Sequence, residues 1–183
     1  SIKEQYNRIS KGEVPDYKKI QQNLLKLTNE TDSLSEKWVS ILSLAQMQNQ
    51  KLIPFDPKVE GLLNEVYNTD LNEIDQNDSF IEVLNQKQKK SKYYLAIIHY
   101  NKISKLFSED PQKANRVAET FFEEIASENS NASIKYAAMY HLALMHFIKR
   151  TELSQINEEE ADLKAERLFT EASRQKIFKD KKH

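Results

Sequence analysis

The sequence has 183 residues, 39% hydrophobic and 30% charged, a balance typical of one globular domain or a short array of repeats. It contains no cysteine, which excludes disulfides, thiolate catalysis and cysteine-ligated zinc. A net charge of -1 gives no general attraction to nucleic acid, and no stretch reaches the roughly 18 to 20 apolar residues that a membrane helix needs.

Helix-forming residues dominate the composition, so we predict an all-α fold. Only 2 Gly and 4 Pro are present, too few for the many tight turns of a β-sandwich or barrel. Leu, Ala, Lys, Glu and Gln are abundant, and all of them favour helices. Apolar periodicity predicts helices at 17–28, 34–49, 57–68, 92–107, 111–128, 132–149 and 158–178, with shorter ones at 2–9 and 79–88.

Capping residues agree with several of these helix starts. Asp16, Asp56 and Asp110 each stand directly before a predicted helix, where a side-chain oxygen can accept from free backbone N–H groups. Asn131 and Asn157 are expected to do the same for the helices at 132–149 and 158–178.

A polar, acidic stretch at 68–78 is the best candidate for a linker, because it offers few apolar anchors. We therefore divide the chain into N-terminal helical hairpins (1–68), an acidic linker with a short helix (69–91) and two repeats (92–183), within one continuous domain. The basic residues that follow the linker are interpreted as a solvated helix face, or alternatively as a contact for an acidic partner. They are Lys87, Lys89, Lys90 and Lys92.

The C-terminal half contains an internal repeat with a period of 47 residues. Residues 93–127 align without gaps with 140–174 and match at eleven positions, where roughly two are expected by chance. Each block is expected to form a helix, a connection and a second amphipathic helix, and stacked neighbours would bury each other's hydrophobic faces. The matches are Tyr93/Tyr140, Leu95/Leu142, Ala96/Ala143, His99/His146, Lys102/Lys149, Leu106/Leu153, Ala114/Ala161, Ala118/Ala165, Glu119/Glu166, Phe122/Phe169 and Glu124/Glu171.

The second helix of the block resembles the tetratricopeptide-repeat superfamily, whose Ala-x3-Phe-x2-Ala pattern is present as Ala165, Phe169 and Ala172. The period differs from the common one of about 34 residues. The Leu-small pair of the family's first helix is matched by Leu95-Ala96, Leu142-Ala143 and Leu44-Ala45, whereas its Trp and Tyr positions hold Lys92 or Met139 and His99 or His146.

The resemblance implies antiparallel helical hairpins stacked as a short array, an α-α superhelix that binds a peptide or a protein. First-helix positions line the concave groove in that family, and the matching residues are Tyr93, Tyr100, Tyr140 and Phe147. Aromatic side chains are favoured as binding anchors. The alternative is core packing, since the helix that starts at Tyr93 is apolar nearly all round. Core packing is also the interpretation for Trp38.

Histidine offers little chemistry in this sequence. His141 and His146 are five residues apart, about 140° around a helix, and are poor co-ligands; we therefore expect no metal and no cofactor. His99 and His146 share one repeat position, so we expect them to pack between helices with a ring nitrogen bonded locally. Gly12 and Gly61 are too isolated to form a phosphate-binding loop.

These features favour a non-catalytic protein-protein interaction module, such as an adaptor, a chaperone or an accessory subunit of a larger assembly. The alternatives are an all-α enzyme whose site converges from separate helices, and an envelope or secretion-associated accessory protein. A nucleic-acid partner would use the basic run at 87–92 with Lys179, Lys181 and Lys182, and is disfavoured. A cytoplasmic location is favoured, with an extracytoplasmic one open because Ser1 is not a Met and a signal or anchor could precede it.

Overall fold

The fold was described from a computed structural model, which covers residues 3, 4, 7, 10–129 and 132–180, without the side chains of 176–180. Every regular element in these residues is helical, which confirms the all-α prediction. In the same residues, none of the helices combines the length and apolar character required to cross a bilayer. The elements are α1 (Tyr17–Glu30), α2 (Leu34–Asn49), α3 (Pro57–Asn68), a 3-10 turn (Leu71–Glu73), α4 (Asp78–Tyr100), α5 (Lys105–Glu109), α6 (Pro111–Ala126), α7 (Ser133–Phe147), α8 (Glu152–Ile156) and α9 (Glu158–Asp180).

The helix predicted at 92–107 was wrong at both ends. The segment 79–88 and the residues up to Tyr100 form one continuous helix, α4, because the polar run between them consists of good helix formers. The chain then turns at Lys102 and forms the short helix α5, with no Gly or Pro to mark the turn. The helix predicted at 132–149 likewise stops at Phe147, and α8 was not predicted. Of the predicted helix at 2–9, residues 3, 4 and 7 are helical and the others lie outside the described residues.

Predicted helix caps are present at four starts. Asn131 lies outside the described residues, and the N-cap position of α7 is Ala132. Each capping oxygen satisfies a backbone N–H group that has no partner inside its own helix. The acceptors are Asp16 for Lys19 N (3.1 Å), Asp56 for Lys58 N (2.9 Å), Asp110 for Lys113 N (2.9 Å) and Asn157 for Glu160 N (3.1 Å).

The chain forms two compact units, Ser1–Lys87 and Gln88–His183. In the first, α2 packs against both α1 and α3. Its core contains Trp38, which is 2% exposed as predicted, with Ile41, Leu44 and Leu63. Burying these apolar surfaces supplies the main stabilisation of the helical hairpins.

In the second unit, α7 packs against both α6 and α9. Ala96, Ala118, Ala143 and Ala161 are fully buried. Their small side chains let the helices approach closely, while Phe122 fills the space between them. This unit contains all four of the predicted anchor residues.

Candidate protein-binding face

The two repeat blocks close their first helix with the same turn. We call residues 93–127 the first hairpin and residues 140–174 the second hairpin. Lys102 and Lys149, at matching positions, both adopt φ 62° in the left-handed region. The next N–H group returns to the carbonyl five residues earlier, a closure usually built with glycine. These bonds run from Ile103 N to Ile98 O (3.2 Å) and from Arg150 N to Met145 O (2.9 Å).

A buried histidine braces each turn. His99 Nδ1 lies 2.8 Å from Ser104 Oγ, and His146 Nδ1 lies 2.8 Å from Thr151 Oγ1. Both hydroxyl oxygens also accept a backbone N–H in the first turn of the following short helix. Both histidines are buried, so the expected packing with a locally bonded ring nitrogen is confirmed.

His146 is held in its neutral form. Burial lowers the pKa of His146 to about 4, and the nearby Lys164 ammonium acts in the same direction while Glu123 opposes it. Among the described residues, Nε2 of this ring is buried without a hydrogen-bond partner. A charged imidazole would be costly at this position.

Aromatic rings from both hairpins surround His141 of α7. Phe122 stacks on the imidazole, with ring centroids 5.3 Å apart. Tyr93, Tyr100 and Tyr140 meet it edge to face at 6.1, 5.4 and 5.8 Å. The ring is fixed from its own helix, since His141 Nδ1 lies 2.8 Å from the Ala137 carbonyl oxygen. These edge-to-face and stacked contacts stabilise the packing of α7 on the first hairpin.

Arg150 joins the second hairpin to the first through hydrogen bonds. Its guanidinium donates to Asn115 Oδ1 from Nε (3.0 Å) and from Nη2 (2.6 Å). It also donates to the carbonyls of Tyr100 (2.7 Å) and His99 (3.3 Å), at the C-terminal end of α4. A cation is favourable there because the helix end carries partial negative charge. The guanidinium also lies over the Tyr100 ring, 5.1 Å from its centroid.

A polar cavity of about 420 Å³ lies beside this joint. Glu119 stands on its wall and accepts from Glu152 N at 3.1 Å. Burial raises the pKa of the Glu119 carboxyl, and the Glu123 charge acts in the same direction. The cavity is lined by Gln112, Asn115, Arg116, Glu119, Lys149, Arg150, Thr151, Glu152, Gln155 and Ile156.

The basic run on α4 is partly neutralised by carboxylates of α6 and of the segment that follows it. Lys89 pairs with Glu128 at 2.6 Å and Lys92 pairs with Glu124 at 3.0 Å. Of the C-terminal lysines weighed for nucleic acid, Lys181 and Lys182 and the side chain of Lys179 lie outside the described residues. The described part of the run therefore offers fewer open cations than the sequence suggests.

The four predicted anchor residues fall into two pairs. Tyr93 and Tyr100 of the first hairpin are half-buried against α7. Burial raises the pKa of Tyr93 to about 12, so its phenol stays neutral. The matching residues of the second hairpin, Tyr140 and Phe147, are 49% and 63% exposed. Matching positions in the two hairpins thus have different surroundings.

Sequence reasoning missed two residues that organise this region. His141 was considered only as a partner for His146 in a metal site, although it lies at the centre of the aromatic contacts. Arg150 aligns with Ile103 and is not among the repeat identities, so no signal pointed to it. Among the described residues, no group of three potential metal ligands occurs.

No protein-family model, curated protein or solved structure matches the chain.

Proposed function

We propose that this chain is a non-catalytic interaction module, in which stacked helical hairpins bind a peptide or protein surface. Adaptor, chaperone and accessory-subunit roles all use such a module. The proposal keeps the tetratricopeptide-like interpretation of the repeat.

The exposure of Tyr140 and Phe147 carries this proposal. Large aromatic side chains lose apolar hydration only when something covers them, and they rank among the strongest anchors at interfaces. Their counterparts in the first hairpin are covered by α7. The second hairpin therefore exposes aromatic side chains at the positions where the first hairpin packs against α7.

The shared turn geometry supports a repeat. The left-handed lysine, the braced histidine and the short helix occur at the same spacing in both hairpins. At this turn, matching sequence positions thus have matching backbone conformation. Repeats of this kind present extended surfaces suited to binding.

Photo-cross-linking tests the proposal. A benzophenone amino acid placed at Tyr140 or at Phe147 should capture a protein in extracts of the source cells, and the purified partner should then form a stoichiometric complex with the unmodified chain. The same group at Val14, which is 90% exposed, is the matched control. Equal capture from all three positions, or failure to reconstitute a complex, would contradict the proposal.

A further inference from the structure

The second hairpin presents an open copy of the surface on which the first hairpin receives α7. Tyr93 and Tyr100 contact the His141 ring, whereas Tyr140 and Phe147 at the matching positions are 49% and 63% exposed. Phe122 is fully buried under His141, and its counterpart Phe169 is only half-buried. We call this open copy, with Tyr140, Phe147, Asp162, Leu163 and Phe169, the end face.

The end face has hydrogen-bond acceptors at the positions that match the acceptors of the Arg150 guanidinium in the first hairpin. In the first hairpin, Asn115 Oδ1 and the Tyr100 carbonyl receive Arg150. The matching groups are the carboxylate of Asp162 and the carbonyl of Phe147. Asp162 is exposed and pairs with Lys149, so an incoming guanidinium would share this carboxylate with the lysine. A charged acceptor strengthens such a bond compared with the amide oxygen.

The edge beside these acceptors is acidic in the second hairpin only. Lys149 pairs there with Asp162 and with Glu158, the latter at 3.6 Å, and two further carboxylates belong to this edge by their repeat positions. In the first hairpin the equivalent edge has two cations and one carboxylate. The acidic edge consists of Glu158, Glu159, Asp162 and Glu166, and the matching residues are Pro111, Gln112, Asn115 and Glu119, with Lys102 and Arg116 as the cations.

From this match we infer that the end face binds a helix and the turn that follows it in a partner protein, with a ring near the C-terminal end of the helix and an arginine in the turn, nine residues after the ring. The spacing is that of His141 and Arg150, which make the corresponding contacts within the chain. The ring would lie among Tyr140, Phe147 and Phe169, and the guanidinium would pair with Asp162. This inference rests on the proposed function and specifies its partner.

A second copy of the chain is a poorer occupant. Its α7 is already packed against α6 and α9. The first hairpin of a second copy has Ile103 where the second hairpin has Arg150, so it brings no cation to Asp162 at that position. Charge complementarity therefore favours a separate, basic helix.

A fluorescein-labelled peptide with the sequence of residues 133–152 serves as the probe, because it contains both the ring and the arginine at the required spacing. We expect saturable binding to the full chain by fluorescence anisotropy. Phe147→Ser and Asp162→Lys in the protein, and Arg150→Glu in the peptide, should each weaken binding at least about tenfold. Val14→Ser removes an apolar side chain elsewhere and should leave the affinity unchanged.

Three results would overturn the inference: no binding of the peptide, equal binding to the Phe147→Ser protein, or equal binding of the Arg150→Glu peptide. Analytical ultracentrifugation tests whether a second copy of the chain occupies the end face instead. Self-association that Phe147→Ser abolishes would assign the end face to that second copy. Phe147 and Asp162 are both exposed, so we expect the two protein variants to fold. Thermal midpoints equal to that of the unmodified chain will show that they do. If the inference fails while cross-linking still yields a reconstituted complex, the interaction module stands with a different partner chemistry.

Discussion

At the scale of single residues, Arg150 is half-exposed and still makes several hydrogen bonds between the two hairpins. One planar group reaches a side-chain amide and two carbonyls at a helix end. Lysine could not reproduce this geometry, because its ammonium is a point donor on a flexible stem. The same planarity allows stacking over Tyr100.

Arg150→Ala should lower the free energy of unfolding by about 2 kcal/mol, since it leaves several acceptors without their charged donor. Arg150→Lys should recover only part of this loss. Urea denaturation followed by circular dichroism measures both, and Arg167→Ala, at an exposed position of α9, should change stability by less than about 0.5 kcal/mol. An Arg150→Ala effect as small as that of Arg167→Ala would show that the joint does not stabilise the fold.

His146 makes stability depend on pH in a defined direction. Its pKa falls from 6.5 to about 4 in the folded chain, so the unfolded chain binds a proton first as the pH drops. The contribution is fully present above pH 6.5 and is lost as the pH falls toward 4. It amounts to about 3 kcal/mol at most, from the size of the shift.

Comparison with His146→Gln isolates this contribution. We expect the difference in unfolding free energy between wild type and variant to shrink between pH 7 and pH 4.5, because glutamine does not titrate. The other titratable groups are the same in both proteins, so their contributions cancel to first order. Parallel stability curves for the two proteins over this range would refute the assignment.

At the scale of the elements, the helices were predictable and the turns between the paired helices were not. Composition and apolar spacing located the helices, and the caps at Asp16, Asp56, Asp110 and Asn157 were recognisable because their chemistry is local. The end of α4 was missed because Lys102 adopts a conformation that lysine rarely takes. The hydrogen bonds that close this turn are local, but Lys102 holds the position where Gly or Asn usually marks a left-handed helix end.

Lys102→Gly should therefore stabilise the chain, by about 0.5 to 1 kcal/mol, since glycine adopts a positive φ without a steric penalty. Lys90→Gly, at an exposed position in the middle of α4, should destabilise it by about 1 kcal/mol. Opposite signs in thermal or urea denaturation would support the left-handed turn. Destabilisation by both substitutions would argue against it.

The candidate site was predictable in its residue types but not in its arrangement. Repeat alignment selected Tyr93, Tyr100, Tyr140 and Phe147 without indicating which pair is covered. Their exposure depends on whether a further helix packs over them, and this is decided by tertiary contacts rather than by the local sequence. The centre of the cluster, His141, has no aromatic pattern of its own in the sequence.

At the scale of the whole molecule, charge bears on the nucleic-acid alternative. The net charge is -1, and two lysines of the basic run on α4 are paired with glutamates. Non-specific binding to nucleic acid depends on releasing counterions from contacted phosphates, and open cations are needed for that. The end face adds an acidic edge that would repel phosphates.

We therefore expect no binding of fluorescein-labelled duplex DNA or single-stranded RNA with a dissociation constant below about 10 μM at physiological salt, measured by anisotropy. Lowering the salt should produce only weak binding. A micromolar or tighter complex whose affinity falls steeply with salt would favour the nucleic-acid alternative.

The Arg150 joint has a polarity, since its donor comes from the later hairpin and its acceptors from the earlier one. A contact of this kind between two molecules would be heterologous, with a head on one and a tail on the other, and could not close as a two-fold dimer. Ile103→Arg would give the first hairpin a donor that matches Arg150. Every molecule would then carry both a donor and the acceptors of the end face. The expected product of that change is a head-to-tail assembly, a ring or an open filament, rather than a symmetric pair.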